Sequence, residues 1–325
     1  VKQLSGLDAT FLHMETPSQF GHVSSLSIYE RPSDPDYDPL SAWRRQIERR
    51  LHLLEPLRRR LVEVPLGLDH PYWIEDPNFD IDFHVRHTGV PPPGDDDQLA
   101  ELVARIIGRP LDRSRPLWET YVIEGLADGR NGRNRFAVLT KIHHATIDGA
   151  SGAELTMIML DTTPEGDDVP LPDKPWEPDA VPSDAEVIAR ASANLIRKPG
   201  RALLLSARAL REFGEATRNP ALIMAARQWR NSLRGPLGRV LNIGRKRDEE
   251  RDPPPTLPVS GAPRTPFNRG ITPHRKFAFR ATSLSQVKAI KNALGATVND
   301  IVMAACAGAL RSYLSKRGEL PNEPL

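Results

Sequence analysis

Apolar positions recur along this chain at two periods. VSSLSIYE (Val23 to Glu30) alternates apolar and polar residues and predicts a strand ahead of the turn-rich RPSDPDYDP. In SAWRRQIERRLHLLEPL the spacing becomes three to four, through Trp43, Ile47, Leu51 and Leu54. That predicts a helix, with Ser41 placed to cap it and Pro56 to end or kink it. PYWIED and FDIDFHVRHT alternate as strands, PPPGDDD breaks them, and Leu99 to Ile107 forms a second amphipathic helix. From Pro116 the order is strand (PLWETYVIEGL), turn (DGRNGRN), strand (FAVLTKIHH) and helix (SGAELTMIMLD). Near the end, KFAFRATSLSQVKAIKNALGATVNDIVMAACAGALRSYLSKRG reads as strand, helix, short turn and long apolar helix. Strands interleaved with helices make the chain α/β in character.

Composition changes this picture in three places. Thirty-one prolines in 325 residues gather into a few stretches, so long loops interrupt the regular elements. One of them, Pro164 to Pro182, is acidic and reads as a linker. A helical, arginine-rich region follows to about Leu241, and RKRDEERDPPP closes it. The division is therefore 1–163, then a linker and basic connector over 164–255, then a further subdomain starting within 256–325. Within the connector, Leu195, Leu203, Leu210 and Phe213 stand among arginines. This pattern fits a helix lying on a membrane surface or one with a solvated basic face.

Charge and cysteine exclude more than they suggest. Lys plus Arg number 44 against 42 Asp plus Glu, so the net charge of +2 gives no reason to expect a nucleic-acid partner. Cys306 is the sole cysteine, which rules out an internal disulfide or a cysteine-based zinc cluster; within IVMAACAGAL it is expected to be a buried core thiol. The N-terminal stretch has no long apolar run, and no segment approaches the roughly 18 apolar residues of a spanning helix. A cytoplasmic protein, peripheral at most to the inner membrane or lipid droplets, is the expectation.

The chemistry concentrates in LTKIHHATIDGASG, Leu139 to Gly152, where a strand passes into a helix. A neutral imidazole takes a proton from a hydroxyl or thiol near neutral pH if a second group fixes its orientation. Adjacent strand residues face opposite sides, so one of His143 and His144 acts while the other packs. Asp148 is placed to orient a ring or pair with an arginine, and Gly149 and Gly152 allow close backbone approach. A metal site would need a third ligand, and adjacent histidines lack the spacing that puts two on one helix face. The remaining reading is a strand end whose polar groups merely satisfy one another.

HHATIDG (His143 to Gly149) resembles the H-H-x-x-x-D-G signature of coenzyme A-dependent acyltransferases, which include chloramphenicol acetyltransferase-like enzymes and condensation domains. LSGLDATFLHMET, PLDRSRPLWE, FNRGITPHR and ATVNDIVMAACAGALR, in that order, are similar to one branch: the bacterial wax ester synthase/acyl-CoA:diacylglycerol acyltransferase family. The resemblance implies a two-lobed chloramphenicol acetyltransferase-like fold and transfer of a long acyl chain from acyl-CoA to diacylglycerol or a fatty alcohol. It implies no cofactor and no metal, with acyl-CoA as a substrate. His144 is then the general base, with His143 and Asp148 behind it. Trp118 in PLW, Asn299 and Asp300 in ND, Gly149 and Glu15 are supporting positions. Against those roles, Trp118 also fits a core residue, Asn299 and Asp300 fit helix caps, and Glu15 fits a solvated acid.

Two alternatives stay open: an acyltransferase fed by a carrier protein, and a lipid-surface protein that keeps the fold without the chemistry. Members of the family continue beyond the point matched by LPNEPL, so the C-terminal lobe is expected to be incomplete in this chain. Its last apolar helix would then be uncovered, leaving an isolated 1–325 chain inactive or self-associating.

Overall fold

The computed structural model describes residues 1–129, 132–147, 157–161, 163, 166, 169–172, 176–197 and 263–322. Its larger sheet grows from the two longest alternating segments of the sequence. Strands β6 (Trp118–Leu126) and β7 (Arg135–His143) pair antiparallel, and β2 (His22–Glu30) adds antiparallel to β7. Strand β5 (Val85–Gly89) lies parallel to β6, which gives the order β2-β7-β6-β5. A parallel pair needs a crossover, and helix α5 (Asp96–Ile107) supplies it. Asp95 and Gln98 close a capping box at its start, and Leu99, Val103 and Ile106 recur on its buried face.

The period-two pattern of the strands sorts their side chains onto two faces. Ile123, Ala137 and Leu139 meet α5, with Leu26 and Ile28 of β2 partly buried alongside. On the opposite face Val122, Phe136 and Val138 meet Trp43 and Leu40 of helix α2 (Pro39–Arg50). A smaller sheet, β1-β4-β3, consists of Lys2–Gln3, Tyr72–Glu75 and Arg59–Val62. Helix α1 (Gly6–His13) starts at Ser5, whose hydroxyl oxygen accepts the Asp8 N–H. Leu4, Ala9 and Leu12 share a core cluster with Leu61, Trp73, Leu117 and Ala145.

Several elements depart from the sequence reading. FDIDFHVRHT is not one strand: Asp80 caps a single helical turn, α4 (Ile81–His84), before β5 begins. The α2 helix is capped by Asp38, with Pro39 in its first turn, rather than by Ser41. It ends at Arg50, and Pro56 opens a short helix of its own, α3 (Glu55–Arg58). The strand expected at KFAFR is absent, because Phe277 and Phe279 pack as side chains against the α5 cluster without strand pairing.

The described chain divides into Val1–Asp184 with Thr265–Leu320, and Ala185–Arg264 with Pro321–Leu325. In the second unit the described helix is α6 (Asp184–Arg197); the rest of the basic connector, Leu203, Leu210 and Phe213 included, lies outside the described residues. In the first, α7 (Leu284–Leu294) and α8 (Val298–Lys316) are joined through Gly295, whose left-handed φ of 62° turns the chain. Cys306 is exposed on α8 rather than buried, since Leu314 is the one buried residue of that helix. Among the described residues no single helix is long and apolar enough to cross a membrane.

Candidate active site

Strand β7 delivers the histidine pair and ends between its members. His143 keeps extended backbone angles, φ −69° and ψ 139°, and the chain then tightens into a 3-10 turn over His144–Thr146. The Nδ1 of His143 accepts the Ala145 N–H at 3.0 Å, which caps that turn. A neutral His143 ring therefore carries its proton on Nε2. His143 is buried, whereas His144 is exposed and lies face to face with Phe11, ring centroids 3.9 Å apart and planes 18° from parallel. The His144 backbone N–H bonds to Gly21 O at 2.9 Å, fastening the turn to the start of β2.

Behind His143 stands Glu15. Its Oε1 is 3.3 Å from His143 Nε2 and accepts the Gly21 N–H at 2.7 Å. Its Oε2 accepts from Arg113 Nη2 at 2.8 Å, and Arg113 also donates to Leu12 O at 2.7 Å. Burial pushes the Glu15 carboxyl upward, but the neighbouring His143 ring and the bonds from Gly21 and Arg113 outweigh it and hold the group down at about 2. Glu15 is thus an ionised hub rather than a solvated acid. The sequence motif PLDRSRPLWE contains Arg113, yet nothing local marks that arginine over its neighbours.

The same sheet face carries further polar groups. Lys141, two residues before His143, is buried, donates to Arg109 O at 2.9 Å and lies 3.5 Å from Glu119. Burial lowers its pKa. His22, paired in register with His143, has Nε2 3.1 Å from Ile107 O. Burial holds His22 at about 4, with the nearby Lys141 charge acting the same way. Cavities open on both faces of the sheet: one of about 290 Å³ beside His22 and Arg275, and one of about 280 Å³ bounded by Val23, Trp43, Ile142 and Ile147.

Other sequence-nominated residues have different surroundings. Trp118 is a core residue, donating from Nε1 to Leu57 O at 2.7 Å and stacking on the buried His84 ring at 4.4 Å. The cap of α8 is Thr297, whose hydroxyl oxygen accepts the Asp300 N–H while the Asp300 carboxylate accepts the Thr297 N–H. Asn299 and Asp300 are exposed on that helix, and the Asp300 bonds go to Thr297 rather than to the histidines. Asp148, Gly149 and Gly152 lie outside the described residues. Among the described residues no three of His, Cys, Asp and Glu converge as a metal site.

Comparison with known proteins adds to this geometry. The family model described as the wax ester synthase/diacylglycerol acyltransferase catalytic domain matches residues 4–302. A Mycobacterium tuberculosis H37Rv protein with a provisional diacylglycerol O-acyltransferase name is 34% identical over 325 residues, all of this chain and 62% of the relative. A second from that strain, provisionally named in the same way, is 37% identical over 314 residues, 97% of this chain and 59% of the relative. The solved wax ester synthase/diacylglycerol acyltransferase from Marinobacter aquaeolei VT8 superposes with a TM-score of 0.59 at 27% identity, covering 100% of this chain and 63% of that one. The chain therefore spans about three fifths of the length of the relatives it matches.

Proposed function

Since the chain belongs to the wax ester synthase/diacylglycerol acyltransferase catalytic-domain family, we propose that it forms the base-bearing part of an O-acyltransferase. The enzyme would move a long acyl group from acyl-CoA to a lipid hydroxyl, of diacylglycerol or of a fatty alcohol. The observation that carries this reading is the separation of the paired histidines. His143 is buried against Glu15 and the turn it caps, while His144 presents its ring outward against Phe11.

In the proposed reaction His144 takes the hydroxyl proton as the acceptor oxygen attacks the thioester carbonyl. The tetrahedral intermediate collapses with cleavage of the carbon–sulfur bond, and the departing thiolate takes the proton from the His144 imidazolium. Ester and free CoA result, with no covalent acyl-enzyme. His143, Glu15 and Arg113 hold the turn that positions His144, and they touch no reacting atom. By family resemblance Asp148 and Gly149 support the histidine pair, Asp148 through an arginine partner. Trp118 contributes by packing, and a lipid-droplet or inner-membrane surface is the place where such substrates gather.

The test is thiol release from palmitoyl-CoA by the intact protein, run separately with diacylglycerol and with a fatty alcohol. Acceptor-dependent release that His144→Ala abolishes, with the circular dichroism spectrum unchanged, is the expected result. Release that survives His144→Ala removes the mechanism.

A further inference from the structure

We infer that Phe11 is a positioning residue for the proposed base: its ring face fixes the plane of the His144 ring and stabilises the imidazolium formed when His144 takes the acceptor proton. The inference rests on the acyltransferase reading in taking His144 as that base.

Three observations carry it. First, the two rings overlap face to face, with centroids 3.9 Å apart and planes 18° from parallel. Neutral aromatic pairs favour offset or edge-on arrangements, whereas a cation is drawn to the centre of a ring face. So close an overlap suits an imidazolium better than a neutral imidazole. Second, both rings sit on elements that pack against each other. Phe11 belongs to α1 and His144 opens the 3-10 turn, while Ala9 and Leu12 of α1 share a core cluster with Ala145. Third, the charged and titratable groups around the turn face elsewhere. Glu15 is spent on His143, Gly21 and Arg113, Asp8 of α1 is bonded to Ser5, His13 of α1 faces His70, and His22 meets the Ile107 carbonyl oxygen. Among the described residues no carboxylate pairs with the His144 ring.

In the familiar triad a histidine base has a carboxylate on its second nitrogen, which sets the ring orientation and offsets the charge gained with the proton. Here Glu15, the carboxylate nearest the pair, is committed to His143. Phe11 performs both tasks for His144 from the ring face. Stacking fixes the plane yet leaves Nδ1 and Nε2 on the perimeter, because an imidazole carries its proton and its lone pair in the plane of the ring. The acceptor hydroxyl meets that edge while the Phe11 π cloud lies beneath the developing charge. His144 is exposed, so the attraction is that of a solvent-accessible pair, about a two- to fivefold change in an equilibrium or a rate.

The test uses the intact protein with Phe11 replaced by phenylalanines carrying one, two and five ring fluorines, which keep the ring but drain negative charge from its face. Phe11→Leu and Phe11→Tyr complete the series. The His144 ring is followed by NMR as pH is varied, its resonance identified as the one missing in His144→Ala. The titration midpoint should fall by about half a pH unit in Phe11→Leu, fall stepwise with fluorination and return in Phe11→Tyr. In the same order kcat for acceptor-dependent thiol release from palmitoyl-CoA should fall, about threefold in Phe11→Leu, with KM for palmitoyl-CoA unchanged. A midpoint or a measurable kcat indifferent to fluorination overturns the inference, since a ring that merely packs is insensitive to the charge on its face. The fluorinated series is close to isosteric and decides this even if Phe11→Leu fails to fold. The two readings fail separately. Transfer that needs His144 yet ignores fluorination sinks the role of Phe11 alone, and a fluorine-dependent midpoint without thiol release sinks the acyltransferase reading alone.

Discussion

Gly21 packs so close to the imidazole of His143 that a β-carbon on Gly21 would stand 2.5 Å from Nε2 and 3.2 Å from the Phe11 carbonyl oxygen. The position also donates its N–H to Glu15 and accepts the His144 N–H, so one residue ties the carboxylate, the packed ring and the exposed ring together. Its glycine is required by space, with backbone on one side and a buried ring on the other.

Gly21→Ala should therefore displace His143 and, through the turn it caps, His144. Overpacking of this kind costs about 1–3 kcal/mol. Urea denaturation should show that loss, and thiol release from palmitoyl-CoA should fall with it. A variant with both native stability and native activity would mean that the ring moves aside at no cost.

The two histidines should fail differently when replaced. His144 is exposed, so His144→Ala should leave the denaturation midpoint nearly unchanged while transfer is lost. His143→Ala removes the acceptor for the Ala145 N–H and a partner of Glu15, and should cost about 1–3 kcal/mol as well as activity. Equal stability of the two variants would contradict the division between a working and a positioning ring.

Periodicity made the sheet legible, because β6, β7 and α5 repeat their apolar residues over nine residues or more. Short elements governed by a cap were not: α1 depends on Ser5, and the turn at Ile81 depends on Asp80 breaking what reads as alternation. In the candidate site, HHATIDG exposed the pair itself, and strand alternation requires its two rings to part. The Glu15–Arg113 bond joins residues 98 positions apart, and the contact of Gly21 with His143 spans the β2–β7 pairing. Neither leaves a local pattern, since each depends on how separate segments meet. Cys306 looked like a core thiol because its neighbours are apolar, but local apolarity does not reveal what lies across from a helix.

Glu15→Gln should remove the ion pair with Arg113 while leaving an oxygen for Gly21. Allowing for solvent screening of a partly exposed group, the loss at neutral pH should be about 1–2 kcal/mol. The folded-state pKa is depressed, so this stabilisation is complete above the ordinary value of 4.5 and disappears as pH falls toward about 2. Denaturation curves of wild type and Glu15→Gln should converge across that window. A constant gap down to pH 2 would show that the charge is not what Glu15 contributes.

Histidine burial sets a separate, higher window. His84, stacked between Phe79 and Trp118 with Nδ1 2.7 Å from Trp118 O, is held by burial at about 4, as His22 is. For both, the unfolded chain takes up a proton near 6.5 and the folded protein does not until about 4. Unfolding is then favoured progressively as pH drops between those values and no further below them. For His84 the loss is at most about 3 kcal/mol. Replacing it with a side chain that does not titrate, His84→Gln, should lower stability at pH 7.5 through poorer stacking but shrink the difference between pH 7.5 and pH 5. Paired urea titrations at the two pH values measure this directly, and an undiminished difference would assign the acid sensitivity to other groups.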